Sequence, residues 1–121
     1  MFTPHFGFIK GRMEAALLAL SKESSYANLR PYSLRPGGVD TAYHPEVLQW
    51  RPGRQGLTKL TEKGLLPILR VAMPGMVSPT KELSKVLTDL AMGSGEPLEG
   101  KGVEGEGRTI SNVGMRRLAG I

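Results

Sequence analysis

Glycine and proline set the strongest limit on what this chain can fold into. The sequence contains 16 glycines and 9 prolines among 121 residues. Because glycine weakens the interior of helices and strands and proline lacks a backbone N–H, we expect short elements separated by many turns. The length suits one compact domain with a single core. The sequence therefore predicts either one layered unit rich in loops, or a piece of a larger unit whose loops are over-represented.

The charge balance and the absence of cysteine narrow the function classes. Lysine and arginine outnumber aspartate and glutamate by 16 to 11, which gives a net charge of +5 and favours anionic partners such as phosphates. The lack of cysteine excludes disulfides, thiolate metal sites and cysteine nucleophiles. Since the sequence contains no apolar run of the ~20 residues that a membrane span needs, we expect a cytoplasmic protein with no membrane partner.

Apolar residues recur at helical spacing in three segments. They predict helices from Gly7 to Ser21 and from Leu57 to Ala72, with Gly64 and Pro67 kinking or dividing the second. Ser78 as N-cap, followed by Pro79 at the first helical position, should open a third helix that ends at Gly93.

Strand signals are few and short. Residues 32–34 form one candidate strand, limited by the neighbouring prolines. Residues 108–112 form a second candidate, and residues 40–56 should be a long loop. The sequence thus predicts an α/β chain that is rich in helix and has one or two short strands.

The segment 93–107 contains two apparent phosphate-binding motifs. Residues 100–105 match G-x-G-x-x-G, and residues 95–101 match the glycines and lysine of a phosphate-binding loop. A dinucleotide motif must follow a strand and open a helix, whereas this segment follows a predicted helix and leads to a strand. We interpret residues 93–107 as a flexible loop rich in glycine and glutamate.

Other candidate sites are weakly supported. His5 and His44 have no neighbours at metal-ligand spacing, so we expect no metal site. Arg51, Arg54, Lys59 and Lys63, near Trp50, could bind nucleic acid, but a solvated basic surface is the simpler interpretation. A noncatalytic basic module that binds protein or nucleic acid stays open as the alternative function.

Two patterns in a fixed order resemble a known family. Residues 6–10, F-G-F-I-K, open a helix, and residues 33–39, S-L-R-P-G-G-V, end a strand; residues 76–80 and 107–112 add weaker matches. Together they resemble the C-terminal half of an atypical short-chain dehydrogenase/reductase, in the group that includes nucleoside-diphosphate-sugar epimerase-like and Tat-interacting-protein-like proteins. The resemblance implies a partial Rossmann-like fold that binds NAD or NADP.

The resemblance assigns roles to individual residues. Lys10 corresponds to the lysine that bonds the nicotinamide ribose, and Phe6 stands at the place of the catalytic tyrosine one helical turn earlier. Because phenylalanine has no hydroxyl group, the family's proton transfer is missing here. The turn Pro36, Gly37, Gly38 and Val39 should approach the nicotinamide, since glycine permits close backbone contact. Tyr43 and Trp50, in the following loop, are candidate substrate contacts.

The resemblance also implies a missing half. The Gly-rich half that binds the cofactor's pyrophosphate would precede Met1, so residues 1–121 are expected to form a single partial NAD(P)-binding domain. We expect no tight cofactor binding and no turnover by this chain alone. The expected partners are a small-molecule substrate in a full-length form, and a complementing N-terminal half or further copies of the chain. Under this interpretation we expect no nucleic-acid partner.

Overall fold

The chain folds as a mixed α/β protein that is rich in helix. A computed structural model describes residues 5–41, 44, 46 and 57–121, apart from the side chains of residues 6, 57–63 and 66. The elements with described bounds are α1 (His5–Leu20), β1 (Ser33–Arg35), β2 (Gly38–Asp40), α2 (Leu57–Ala72), β3 (Val77–Pro79), α3 (Thr80–Met92), β4 (Val103–Glu104), β5 (Thr109–Ser111) and α4 (Asn112–Ala119). Short 3-10 turns occur at Ser24–Tyr26 and Pro74–Met76.

The strands form two small sheets. In the first, β1 runs parallel to β5 with Leu34 opposite Ile110, and β4 pairs antiparallel to β5. In the second, β2 runs parallel to β3 with Val39 opposite Ser78. The chain leaves the first sheet at Arg35 and enters the second at Gly38. Five short strands in the described part of the chain correct the expected one or two.

The core lies between β5, α3 and α4. Ile110 and Met115 have no exposed surface, and Val86 is almost completely buried. Partly buried apolar side chains surround them: Tyr32, Leu34, Leu83, Leu90, Leu98, Leu118 and Ala119. Leu34, the middle residue of β1, packs against this core and so holds the strand in place.

Two helix predictions meet the structure at named residues. The second helix is continuous through Pro67, so the proline does not divide it, and a kink there stays a prediction. Ser78 is not an N-cap. It lies within β3 without exposed surface, and Pro79 precedes the first turn of α3. A Ser-Pro pair fits a strand end as well as a helix start, and pairing with β2 decides between them.

The Gly-rich segment 93–107 contributes to the fold. It contains β4, and Leu98 packs against the core while its amide donates to the Gly107 carbonyl at 3.0 Å. The G-x-G-x-x-G residues run into the β4–β5 hairpin, so they open no helix. The flexibility expected of this segment stays a prediction. No helix in the described ranges is long and apolar enough to cross a membrane.

Candidate functional site

A groove of about 650 Å³ lies between α1 and the carboxyl end of β1. From α1 it is lined by Gly7, Lys10, Gly11, Met13 and Glu14, and from the strand side by Ser33, Leu34, Arg35 and Pro36. Lys10 and Pro36, two of the residues singled out in the sequence, thus lie on opposite walls of one groove.

Helical geometry explains the α1 wall. Residues 7, 10, 11 and 14 recur at intervals of three and four, so they share one face of the helix. Two of them are glycines, and a Cβ atom added at Gly11 would meet no atom within 4 Å. Gly11 therefore borders open space, one residue after Lys10.

An ion pair joins the two walls. The Glu14 carboxylate accepts hydrogen bonds from the Arg35 guanidinium, one of them from Nε at 3.1 Å, and from the Ser33 hydroxyl. The Arg35 hydrogen bond lowers the pKa of Glu14, against the opposing effect of desolvation. Arg35 also lies 3.7 Å from the Glu104 carboxylate. The pair connects the middle of α1 to the end of β1 and so fixes the width of the groove.

The chemistry of this cluster favours binding over nucleophilic catalysis. A carboxylate whose pKa is lowered is a weak general base, so Glu14 is poorly suited to activate the Ser33 hydroxyl. The lining carries the positive charges of Lys10 and Arg35 and the negative charge of Glu14. Sequence inspection missed Glu14 and Arg35; the only available signal was Glu14 one helical turn after Lys10.

Gly37, Gly38 and Val39 do not line this groove in the described structure. The Gly37 amide donates to the Ser78 hydroxyl at 2.9 Å, while Gly38 and Val39 belong to β2. A Cβ atom at Gly37 would lie 2.2 Å from the Met76 carbonyl oxygen. Packing within the chain thus requires glycine at position 37, and a contact of these three residues with a cofactor stays a prediction.

Several predicted residues cannot be placed. Tyr43, Trp50 and the side chain of Phe6 lie outside the described residues, as do the side chains of the basic cluster near Trp50. His44 pairs with Glu46 at 2.9 Å. Across the described ranges, no three histidine, aspartate or glutamate side chains are grouped so that they could hold a metal ion.

The outer edge of β1 adjoins the groove. The Ser33 amide donates to the Arg108 carbonyl at 2.8 Å, so strand alternation points the amide and carbonyl of Leu34 away from β5. Apolar side chains stand on both sides of this edge: Met13, Leu17 and Leu18 from α1, and Leu87 and Leu90 from α3. In the described part of the sheet, β1 pairs with β5 alone.

Comparisons with known proteins identify a family. The Botcinic acid biosynthesis cluster B protein 16 of Botryotinia fuckeliana (strain B05.10) is 39% identical to this chain over 123 residues, which cover 99% of the chain and 77% of the relative. This chain belongs to the family of that protein. The match covers nearly the whole chain, so both walls of the groove lie within the part shared with this family. No protein-family profile and no solved structure matches the chain.

Proposed function

We propose that this chain supplies the nicotinamide side of an NAD(P)-binding site in a protein similar to the atypical short-chain dehydrogenase/reductases. The observation that supports the proposal is the meeting of Lys10 and Pro36 across one groove. These residues are distant in sequence, and the resemblance assigned both of them to the same end of the cofactor.

The position of the groove agrees with this proposal. In open α/β sheets, ligands bind in the crevice beyond the carboxyl ends of parallel strands. Pro36 directly follows the last residue of β1, which runs parallel to β5. A partial Rossmann-like sheet, with β1 and β5 as neighbouring strands, accounts for this arrangement.

The groove chemistry fits a nicotinamide ribose. Lys10 offers ammonium donors to ribose hydroxyls, and Glu14, held by Arg35, offers a fixed carboxylate acceptor on the same helix face. A bound NAD(P)H would supply the hydride for a reduction, and a bound NAD(P)⁺ would accept it in an oxidation. Phe6 cannot donate or accept the accompanying proton, so we propose that the chain binds the cofactor without turning over substrate by itself.

The proposal includes a partner and a substrate class. We propose that the outer edge of β1 receives a strand from a complementing cofactor-binding half, because one side of that strand is unpaired in the described sheet. The relative takes its name from a botcinic acid biosynthesis cluster. We therefore propose a small-molecule substrate for the assembled protein, acted on by oxidoreduction or epimerisation.

A titration of the purified, isotopically labelled chain with NADPH tests the proposal by NMR. We expect weak binding that shifts the amide signals of Lys10, Gly11 and Arg35. Lys10→Met should abolish the response because it removes the ammonium donors at similar side-chain length. Lys81→Met removes an exposed lysine outside the groove and should leave the response unchanged.

Two ligands serve as controls. Adenosine 2′,5′-bisphosphate lacks the nicotinamide ribose and should shift none of the groove signals. Duplex DNA, added at two salt concentrations, tests the basic binding module. Binding of DNA that weakens steeply with salt, without a groove response to NADPH, would reject the cofactor proposal in favour of that module.

A further inference from the structure

A hydrogen-bond network centred on the buried Ser78 hydroxyl holds the turn that forms the strand-side wall of the groove. The Ser78 hydroxyl accepts a hydrogen bond from the Gly37 amide at 2.9 Å and donates to the side-chain oxygen of Asn112. The side-chain amide of Asn112 donates in turn to the Gly75 carbonyl. A single chain of hydrogen bonds thus joins the turn after β1, strand β3, the first residue of α4 and the 3-10 turn before β3.

Burial and close packing make this network rigid. Ser78 has no exposed surface, so its hydroxyl cannot exchange these partners for water without opening the structure. Beside it, Gly37 packs so closely on Met76 that no side chain fits between them. The network and the packing together fix the backbone at Gly37, one residue after Pro36.

We propose that Ser78 and Asn112 are positioning residues for the cofactor groove. The inference rests on the proposed function and deepens it: Ser78 and Asn112 are not among the residues that line the groove, and they act by holding the turn of Pro36 and Gly37 at the distance from α1 that the nicotinamide ribose requires. The sequence predicts that Ser78 caps a helix, whereas in the structure its hydroxyl accepts a hydrogen bond from the amide of Gly37 in this turn.

The test substitution is Ser78→Ala in the full chain. It leaves the Gly37 N–H half-buried without a partner, so exchange of the Gly37 amide with solvent should quicken by about tenfold or more. NADPH binding, read from the Lys10 and Arg35 signals, should weaken about fivefold or more. Val86→Ala is the matched control, because it destabilises the core without contacting the turn, and it should leave NADPH affinity unchanged where the protein is fully folded.

A milder variant covers the case in which Ser78→Ala fails to fold. Asn112→Asp keeps an oxygen that accepts from the Ser78 hydroxyl and removes the amide that donates to Gly75. We expect Asn112→Asp to quicken Gly37 exchange and to weaken NADPH binding, each by a smaller factor than Ser78→Ala does. The ratio of the two effects should be the same in both variants.

The outcomes separate this inference from the proposed function. If Gly37 exchange quickens while NADPH affinity stays at the wild-type value, the two residues stabilise the fold only and the inference is overturned. Unchanged Gly37 exchange in both variants overturns it as well. If the wild-type chain gives no groove response to NADPH, the proposed function fails and this inference fails with it.

Discussion

At the scale of single residues, the glycine at position 37 is required by steric contact. A Cβ atom there would lie 2.2 Å from the Met76 oxygen and 2.8 Å from the Met76 carbonyl carbon. Both are backbone atoms, so no side-chain rotation can relieve the overlap. Because Gly37 has no side chain, the turn after β1 can lie directly against the backbone of Met76, the residue before β3.

Gly37→Ala should therefore lower the free energy of unfolding by about 1–3 kcal/mol, the usual cost of forcing extra volume into a packed region. Urea denaturation followed by circular dichroism measures the change. Gly11→Ala is the matched control: nothing lies within 4 Å of its added Cβ, and alanine within a helix should raise the free energy of unfolding by about 0.5–1 kcal/mol. Equal effects of the two substitutions would show that the contact with Met76 is unimportant.

Glu14 gives the groove a pH dependence. Its pKa is lowered in the folded chain because the carboxylate accepts hydrogen bonds from Arg35. A lowered folded-state pKa means that the ionised form stabilises the fold. This contribution is complete where the carboxyl is ionised in both states, above the unfolded pKa of about 4.3. It is lost as the pH falls through the lower folded-state pKa.

Glu14→Gln should therefore be less stable than the wild type at pH 7, by about 1 kcal/mol because Arg35 is more than half exposed. The difference should shrink once the pH falls below the unfolded pKa and vanish below the lower folded-state pKa. Urea unfolding at a series of pH values measures it, with Glu23→Gln as an exposed control. A difference that persists at low pH would assign the loss to packing rather than to the ion pair.

At the scale of elements, apolar periodicity predicts the long helices and misses the short strands. Helices α1, α2 and α3 each have several apolar residues at intervals of three and four, and this spacing predicts a helix. Strands β2 and β3 are three residues long, and each is stabilised by its pairing with the other. A segment of three residues has no readable period, so pairing partners distant in sequence decide its structure.

The groove was predictable only in part for the same reason. Lys10 and Pro36 were found through the family resemblance, which places each residue within a local motif. The Glu14–Arg35 ion pair and the Ser78–Gly37 hydrogen bond join residues 21 and 41 positions apart. The sequence next to each residue does not indicate its partner, because only tertiary packing brings the two residues together.

Helix α4 depends on a cap that can be tested by itself. The Ser111 hydroxyl lies at the N-cap, 3.4 Å from the Gly114 amide, and donates to the Gly102 carbonyl at 2.9 Å. Ser111→Ala should lower the free energy of unfolding by about 1 kcal/mol. Ser84→Ala, at an exposed position of α3, removes only a bond to the Thr80 carbonyl and should change stability by less than about 0.5 kcal/mol. Thermal denaturation of both variants distinguishes a cap from an ordinary surface serine.

At the scale of the whole molecule, α1 is the element with the largest apolar exposure beside the sheet edge. Phe8, Ile9 and Met13 are each at least half exposed, and Leu17 is 41% exposed. They lie on the helix that borders the outer edge of β1. A surface of this kind is typical of a face that another polypeptide covers, which agrees with the complementing half or further copy that we propose.

The chain should therefore self-associate and bind a hydrophobic dye when studied alone, at concentrations of about 100 µM where exposed apolar surface promotes association. Ile9→Gln combined with Met13→Gln should reduce both effects several-fold. It should change the free energy of unfolding by less than about 0.5 kcal/mol per site, because both side chains are largely solvated. Sedimentation velocity and dye fluorescence measure the two effects.

The matched control removes apolar surface elsewhere. Val71 on α2 and Met92 on α3 are each 84% exposed, and Val71→Gln with Met92→Gln removes the same number of apolar side chains, neither of which lines a pocket beside β1. If this control reduces association as strongly as the α1 variant, association depends on total apolar exposure and not on α1. If a strand from a complementing half is then added, dye binding should fall in the wild type, because the strand covers the same edge that α1 borders.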